Sequence, residues 1–194
     1  VINMDSNCIL LINGSTGVGK TTAAQVIAKS FIKGVSIDVD SIKKFIKTGD
    51  PGMLGYKKEI EMMKQKDAYY VLIHTIVCDI AIRFIQDGYV VVISDMIWEE
   101  WIIEMYKKRL KMYHFFHILL QLPFEAQKQR LANRINKLHV SKYNPDFVDR
   151  ILHFSHAIDN LPKVDYIAVN IERLTSKQVA QMIIERINRT AFSQ

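Results

Sequence analysis

Apolar residues along this 194-residue chain fall into two alternating kinds of segment. Short, almost continuous apolar runs stand at 8–13 (CILLIN), 35–39 (VSIDV), 89–94 (YVVVIS), 115–122 (FFHILLQL) and 165–169 (DYIAV). They are short for helices, and runs such as YVVVIS and ILLQL show little polar alternation, the pattern of strands covered on both faces. Between them, apolar residues at helical spacing predict helices over 20–30, 41–47, 57–87, 99–112, 124–138, 145–158 and 176–188. Strand and helix in alternation predict an α/β fold with a mostly parallel five-stranded sheet and right-handed crossover helices on both faces. Neither a repeat nor a linker divides the chain, so a single domain over 1–194 is expected. The clearest flexible connection is GDPGMLG at 49–55, and a second lies around 140–145.

Composition narrows the class without changing that outline. With 49% hydrophobic and 24% charged residues, the chain is long enough to bury a substantial core and has no low-complexity tract. The longest apolar stretch, 69–89, is interrupted by His74, Asp79, Arg83 and Asp87, so no membrane span is expected. The first residues lack a basic region leading into an apolar core and a small-residue cleavage site, and a cytoplasmic protein is the expectation. Cys8 and Cys78 both sit in apolar segments, as buried thiols of a reducing compartment do. The net charge of +6 comes largely from 107–111 and 128–142, where basic residues interleave with Leu131, Ile135 and Leu138. That spacing predicts solvated helix faces with a few residues meeting a polyanionic nucleotide, a nucleic-acid surface being the alternative.

The stretch GSTGVGKTT directly follows the first predicted strand and opens the first predicted helix. It satisfies the pattern Gly14-x-x-x-x-Gly19-Lys20-Thr21 of a phosphate-binding loop. Gly14, Ser15, Thr16, Gly17, Val18 and Gly19 would curl so that backbone N–H groups point at phosphate oxygens, beside the positive end of the helix dipole. Lys20 would neutralise the outer phosphates, Thr21 would offer its hydroxyl to Mg²⁺, and Thr22 would donate to a further phosphate.

Such a loop binds a nucleotide but leaves its fate open, and the other strand ends must supply the rest. The second strand ends in Asp38 and Asp40, candidates to meet an acceptor. Asp40 can take a proton from an attacking hydroxyl, or, with Ser41, can simply cap a helix. The third strand ends in Asp95, able to hold Mg²⁺ through water, to fix a substrate group, or to cap the helix carrying Trp98 and Trp101. Those tryptophans, three apart, read as packing residues. After the fourth strand, Arg130 and Arg134 share one helix face, where one guanidinium can serve the base and the other the transferring phosphoryl. Arg150 is a weaker candidate for the same task. His153 and His156 have no partner at zinc spacing, and no nucleophile triad is visible.

GSTGVGKTT, DVDSI and VVVISD together resemble the small P-loop kinases of the adenylate-kinase-like group. That set contains chloramphenicol phosphotransferase, gluconate and shikimate kinases, tunicamycin-resistance ATP-binding proteins and the kinase domain of polynucleotide kinase. The resemblance runs from Ile9 to about Ile187 and implies a three-layer P-loop NTPase fold with a short lid. It further implies an ATP- and Mg²⁺-dependent kinase acting on a hydroxyl of a small molecule, as a monomer or homodimer. DVDSI is similar to the segment holding the catalytic aspartate of chloramphenicol phosphotransferase, which would make Asp40 the base. Where polynucleotide kinases place a substrate-binding arginine, this chain has Lys43. HILLQLPFEAQKQRLANR is similar to the approach to the lid, with Arg130 on adenine and Arg134 at the γ-phosphate. The lid would occupy about 135–150, centred on 138–145, and about 48–88 would cover the acceptor. Lys57, Lys58, Lys64 and Lys66 there could recognise an anionic acceptor or form a solvated face.

Overall fold

The computed structural model describes residues 7–137, 153–155, 157–158, 160–161 and 166–191. The chain runs β1 (Cys8–Gly14), α1 (Lys20–Ala28), β2 (Gly34–Asp38), α2 (Val39–Lys43), a 3₁₀ turn (Pro51–Leu54), α3 (Tyr56–Lys64) and α4 (Ala68–Gln86). It continues with β3 (Val90–Ser94), α5 (Glu100–Arg109), β4 (His114–Gln121), α6 (Phe124–Lys137), β5 (Ile167–Asn170) and α7 (Ser176–Ala191). Residues 153–155 and 157–158 are helical, inside the predicted 145–158 helix. The predicted lid centre at 138–145, Arg150 and His156 lie outside the described residues.

The five strands form one sheet in the order β2-β3-β1-β4-β5, and every neighbouring pair is parallel. β1 is central, with Leu11 level with Ile93 on one side and His117 on the other. Successive side chains of a strand point to opposite faces, so the apolar runs supply two cores at once. Ile9, Leu11, Val91, Ile93 and Leu119 pack with α4, α5 and Phe154, whereas Leu10, Ile12, Val90, Val92, Ile118 and Leu120 pack with α1 and α7. This double coverage is why the strands read as unbroken apolar runs. All parallel strands end at one edge of the sheet, which gathers the loops after β1, β2 and β3.

Two local expectations change. The predicted helix over 57–87 is two helices, because Lys66 adopts a left-handed backbone (φ 55°) after α3 and Asp67 starts α4, its carboxylate accepting from Tyr69 N at 2.9 Å. Periodicity cannot register a stop that lies within the polar stretch KQKD; the Asp67 cap is the chemical signal for it. Trp98 precedes α5 instead of sharing its face with Trp101; it stacks on Phe154 with ring centroids 4.0 Å apart, while Trp101 Nε1 donates to Met63 O. Both tryptophans therefore do pack.

α4 is long and apolar enough to cross a membrane by length and composition alone. Here its Tyr70, Ile73, His74, Val77, Cys78, Ala81 and Ile85 are buried, forming one stripe against the sheet. Both cysteines are buried thiols, Cys78 being pushed up to about 12 chiefly by burial.

Since Asp67 both starts α4 and ends the approach from α3, Asp67→Ala is expected to cost about 1 kcal/mol. Urea denaturation checks this; a loss indistinguishable from zero would show that tertiary packing alone sets the α3–α4 break.

Candidate functional site

The sequence Gly-Ser-Thr-Gly-Val-Gly turns tightly after β1 because Gly14, Gly17 and Gly19 have φ of 148°, 84° and 94°. At Gly17 a side chain is excluded twice over: the backbone is left-handed, and a Cβ would stand 2.9 Å from Leu131 of α6. Gly19 is the N-cap of α1 and offers no side chain to the first-turn N–H groups, which stay available for an anion. Lys20 Nζ folds back onto Ser15 O at 3.0 Å, while Thr21 and Thr22 lie on the first turn of α1, half-exposed and exposed.

A buried hydrogen-bonded frame holds this loop. Asn13 Oδ1 accepts from Gly14 N (2.7 Å) and Ile97 N (2.9 Å), and its Nδ2 donates to Ile97 O at 3.0 Å. Asn13 Nδ2 also lies 3.2 Å from His117 Nε2, which can only accept from it. On the opposite side Gln127 of α6, 1% exposed, donates to Thr16 O at 2.6 Å and accepts from Ser155 at 3.1 Å. Asn13, Gln127 and His117 escaped the sequence reading; their one signal was polar residues placed within apolar or amphipathic segments.

The three aspartates at or just beyond the strand ends occupy different environments. Asp38, not Asp40, is the N-cap of α2, and its oxygens accept from Ser41 Oγ (3.1 Å) and Ser94 Oγ (3.3 Å). Asp40 lies in the first turn with its side chain 77% exposed, 3.5 Å from Lys43 Nζ. Asp95 is 4% exposed: Oδ2 faces His74 Nε2 at 3.0 Å, and Oδ1 accepts from Met96 N at 2.8 Å. It caps no helix, since α5 begins at Glu100. His74 Nδ1 meets Tyr70 O at 2.6 Å, and because a carbonyl only accepts, that nitrogen donates. Tyr106 stands edge-on to the His74 ring, and burial, then Asp95, raise its phenol well above the ordinary value.

Charge couples these groups. Burial acts to raise Asp95, but the hydrogen bond and charge of His74, the Lys43 ammonium and Met96 N–H outweigh it and hold the carboxyl below its ordinary value. Burial likewise acts to lower Lys43, yet Asp95, Asp40 and Glu59 prevail and its pKa rises. Lys20 is the exception: burial pulls it down to about 8 against the opposing fields of Asp40 and Asp95. An ammonium so poorly hydrated is primed to meet a polyphosphate.

Arg130, half-buried on α6, donates to Ile171 O at 3.3 Å, beside the loop after β5. Arg134 is one turn farther along α6, its side chain outside the described residues. Of the four lysines between 57 and 66, all are exposed, and Lys58 pairs with Glu61. They form the solvated face.

No known sequence family matches this chain, and no curated protein is similar in sequence. Solved structures are similar in fold. A gluconokinase from Sinorhizobium meliloti 1021 superposes with a TM-score of 0.64 at 12% identity, covering 98% of this chain and 99% of that one. A shikimate kinase from Acinetobacter baumannii gives 0.60 at 18%, covering 96% of each chain. The tunicamycin resistance protein of Deinococcus radiodurans gives 0.60 at 17%, covering 93% of this chain and 95% of that one. The chain thus has the α/β P-loop fold of these small kinases.

The depressed pKa of Lys20 carries a pH signature. Its folded value lies below its ordinary 10.5, so between about 8 and 10.5 the unfolded chain binds more protons and stability of the nucleotide-free protein rises with pH through this group. Polyphosphate binding has the opposite slope: affinity is expected to weaken as pH rises through about 8 and the ammonium is lost. Calorimetric titration with ATP at pH 7, 8 and 9 checks this, with Lys20→Arg expected to flatten the profile. An equally flat wild-type profile would remove Lys20 from the phosphates.

Proposed function

We propose that this protein is an ATP- and Mg²⁺-dependent kinase that transfers the γ-phosphoryl group to a hydroxyl of a small molecule, with Asp40 as general base. The observation that carries this reading is the contrast between the two carboxylates beside the phosphate loop. Asp95 is buried and engaged by His74, whereas Asp40 is exposed at the same cleft and electrostatically coupled to Lys20. A mere binding site has no use for an accessible carboxylate facing a triphosphate, since like charges repel. A transferase needs one, because the attacking hydroxyl must lose its proton.

In this reading the acceptor O–H lies between Asp40 and the γ-phosphorus. As the new P–O bond forms, the bond to the β,γ-bridging oxygen breaks, the hydroxyl proton passes to Asp40, and ADP leaves. Such transfers depend on positioning and charge stabilisation more than on covalent chemistry. Lys20 and the backbone N–H groups from Ser15 to Thr22 hold the phosphates, the Gly14 N–H being taken by Asn13, and Lys43 steadies the acceptor or the moving phosphoryl. Arg130 serves the base side and Arg134 the γ-phosphate, with residues 138–145 as the lid.

The donor set suits Mg²⁺ carried in on ATP. Among the described residues no three metal-ligating side chains cluster, but Thr21 presents a hydroxyl and Asp95 an ionised carboxylate, as expected of a hard cation that keeps several waters. When bound, the ion would neutralise charge on the β- and γ-phosphate oxygens. The acceptor would lie under α2, the 3₁₀ turn and α3. A small, uncharged or weakly charged hydroxyl compound suits that side, since the Lys43 charge there is already met by Asp95, Asp40 and Glu59.

Incubation with γ-labelled ATP and a panel of sugars, sugar acids, hydroxylated antibiotics and 5′-hydroxyl oligonucleotides tests the assignment. Label in a small molecule supports it; label on an oligonucleotide end would make the protein a polynucleotide kinase, and free phosphate alone would make it a nucleotide-binding regulatory or resistance protein. Asp40→Asn is expected to keep ATP affinity and lose roughly 100- to 10,000-fold in transfer rate. Near-normal turnover in that variant would strip Asp40 of the base role.

A further inference from the structure

His74 lies outside the phosphate loop and on a different element from every group in the proposed reaction. It is nonetheless 1% exposed, within the apolar stripe of α4 that covers the sheet. A polar ring is tolerated there only when its nitrogens are satisfied, and each finds a partner at 2.6 and 3.0 Å. From Asp95 the bonds continue to the loop. Asp95 Oδ1 takes Met96 N, Met96 Sδ accepts from Thr16 Oγ1 at 3.3 Å, and Asp95 N itself donates to Ile12 O at 3.1 Å. The next residue, Ile97, is gripped by Asn13, whose Oδ1 also holds Gly14 N. The turn 95–97 is thus the shelf on which the first half of the phosphate loop rests, at Gly14 through Asn13 and at Thr16 through Met96, and His74 fixes its first residue.

On the other side, His74 is bonded to Tyr70 O, and the Tyr70 hydroxyl donates to Glu59 O of α3 at 3.4 Å. One buried chain of contacts therefore runs from α3, through α4, to Asp95 and the loop after β1. Tyr70 and His74 stand one turn apart on α4, so a rigid helix holds the Asp95 side chain from behind, the kind of support that keeps a site near its working geometry.

We propose that His74 is a positioning residue for the phosphate loop: its Nε2–H bond to Asp95 Oδ2 locks the turn 95–97 and so sets the loop in its nucleotide-binding shape. His74 touches no nucleotide; it acts through Asp95. The inference rests on the nucleotide-binding part of the kinase reading and is independent of the acceptor and of turnover.

Two isosteric replacements separate this from a packing role. In His74→Gln the amide can reach the position of Nε2 and keep a donor to Asp95. In His74→Asn the shorter amide reaches only the position of Nδ1 and keeps the bond to Tyr70 O. ATP affinity of the folded protein, read by calorimetry alongside thermal unfolding, is expected to fall roughly 10- to 100-fold in His74→Asn and to stay near wild type in His74→Gln. Asp95→Asn removes the same bond from the other partner together with the proposed metal contact, so in that background His74→Asn should weaken ATP little further; if His74→Asn does not fold, His74→Gln decides alone, near-wild-type affinity supporting the proposal and a 10- to 100-fold loss overturning it. Equal ATP affinity in the Gln and Asn variants, or fully additive losses with Asp95→Asn, would overturn the proposal and leave His74 a packing residue. Failure of the wild-type protein to bind ATP would instead overturn the nucleotide reading itself, and this inference with it.

Discussion

Parallel pairing of β1 between β3 and β4 is the constraint from which the rest of the molecule follows. Parallel strands share a direction, so their carboxyl ends share an edge, and each must return by a crossover that covers a face of the sheet. Burial of both faces demands apolar side chains in both directions along β1, and Ile9 to Ile12 are all fully buried. Along β1 and β3 the polar side chains are then confined to the strand ends. Asn13, Asp38 and Asp95 stand at or just beyond the ends of β1, β2 and β3, which is why they meet one another's elements and why the glycine loop opens among them.

The second organising effect is desolvation. Burial penalises the charges of Lys20, Lys43 and Asp95, and the carboxylates Asp40 and Asp95 lie close enough to both lysines to oppose that penalty. Asp95 is kept ionised by a histidine and a backbone N–H, and Lys43 by carboxylates. Lys20 alone loses more to burial than its neighbours restore. The residue that is least content without a ligand is the one whose pattern assigns it to phosphates. In the proposed function a polyphosphate would supply the countercharge that Asp40 and Asp95 only partly provide.

Recognition of the phosphate loop needed no tertiary information, because its spacing encodes a local conformation that only glycine adopts and a helix start that follows it. The strands were equally legible, since continuous apolar runs of five to eight residues have few alternatives once longer periodic segments flank them. The break between α3 and α4 was less visible: Lys66 and Asp67 belong to a polar stretch that amphipathic periodicity passes over. Which of Asp38 and Asp40 stands at the start of α2 and which is left exposed could not be read, because two residues of the same type at the same strand end differ only in what surrounds them. Ser41 and Ser94 claim the first, and solvent claims the second.

By itself the sequence determined the architecture, the nucleotide-facing loop and the set of charged residues around it, because each depends on short-range pattern or covalent spacing. The tertiary structure decided which of those residues are available and which are held. Asp95 is buried because α4, twenty residues earlier in the chain, lies across β3 and brings His74 to its carboxylate. Gln127 reaches Thr16 across more than one hundred residues of sequence. Burial and hydrogen-bond partnership are properties of neighbours in space, and no periodicity in a single chain encodes which neighbours will arrive.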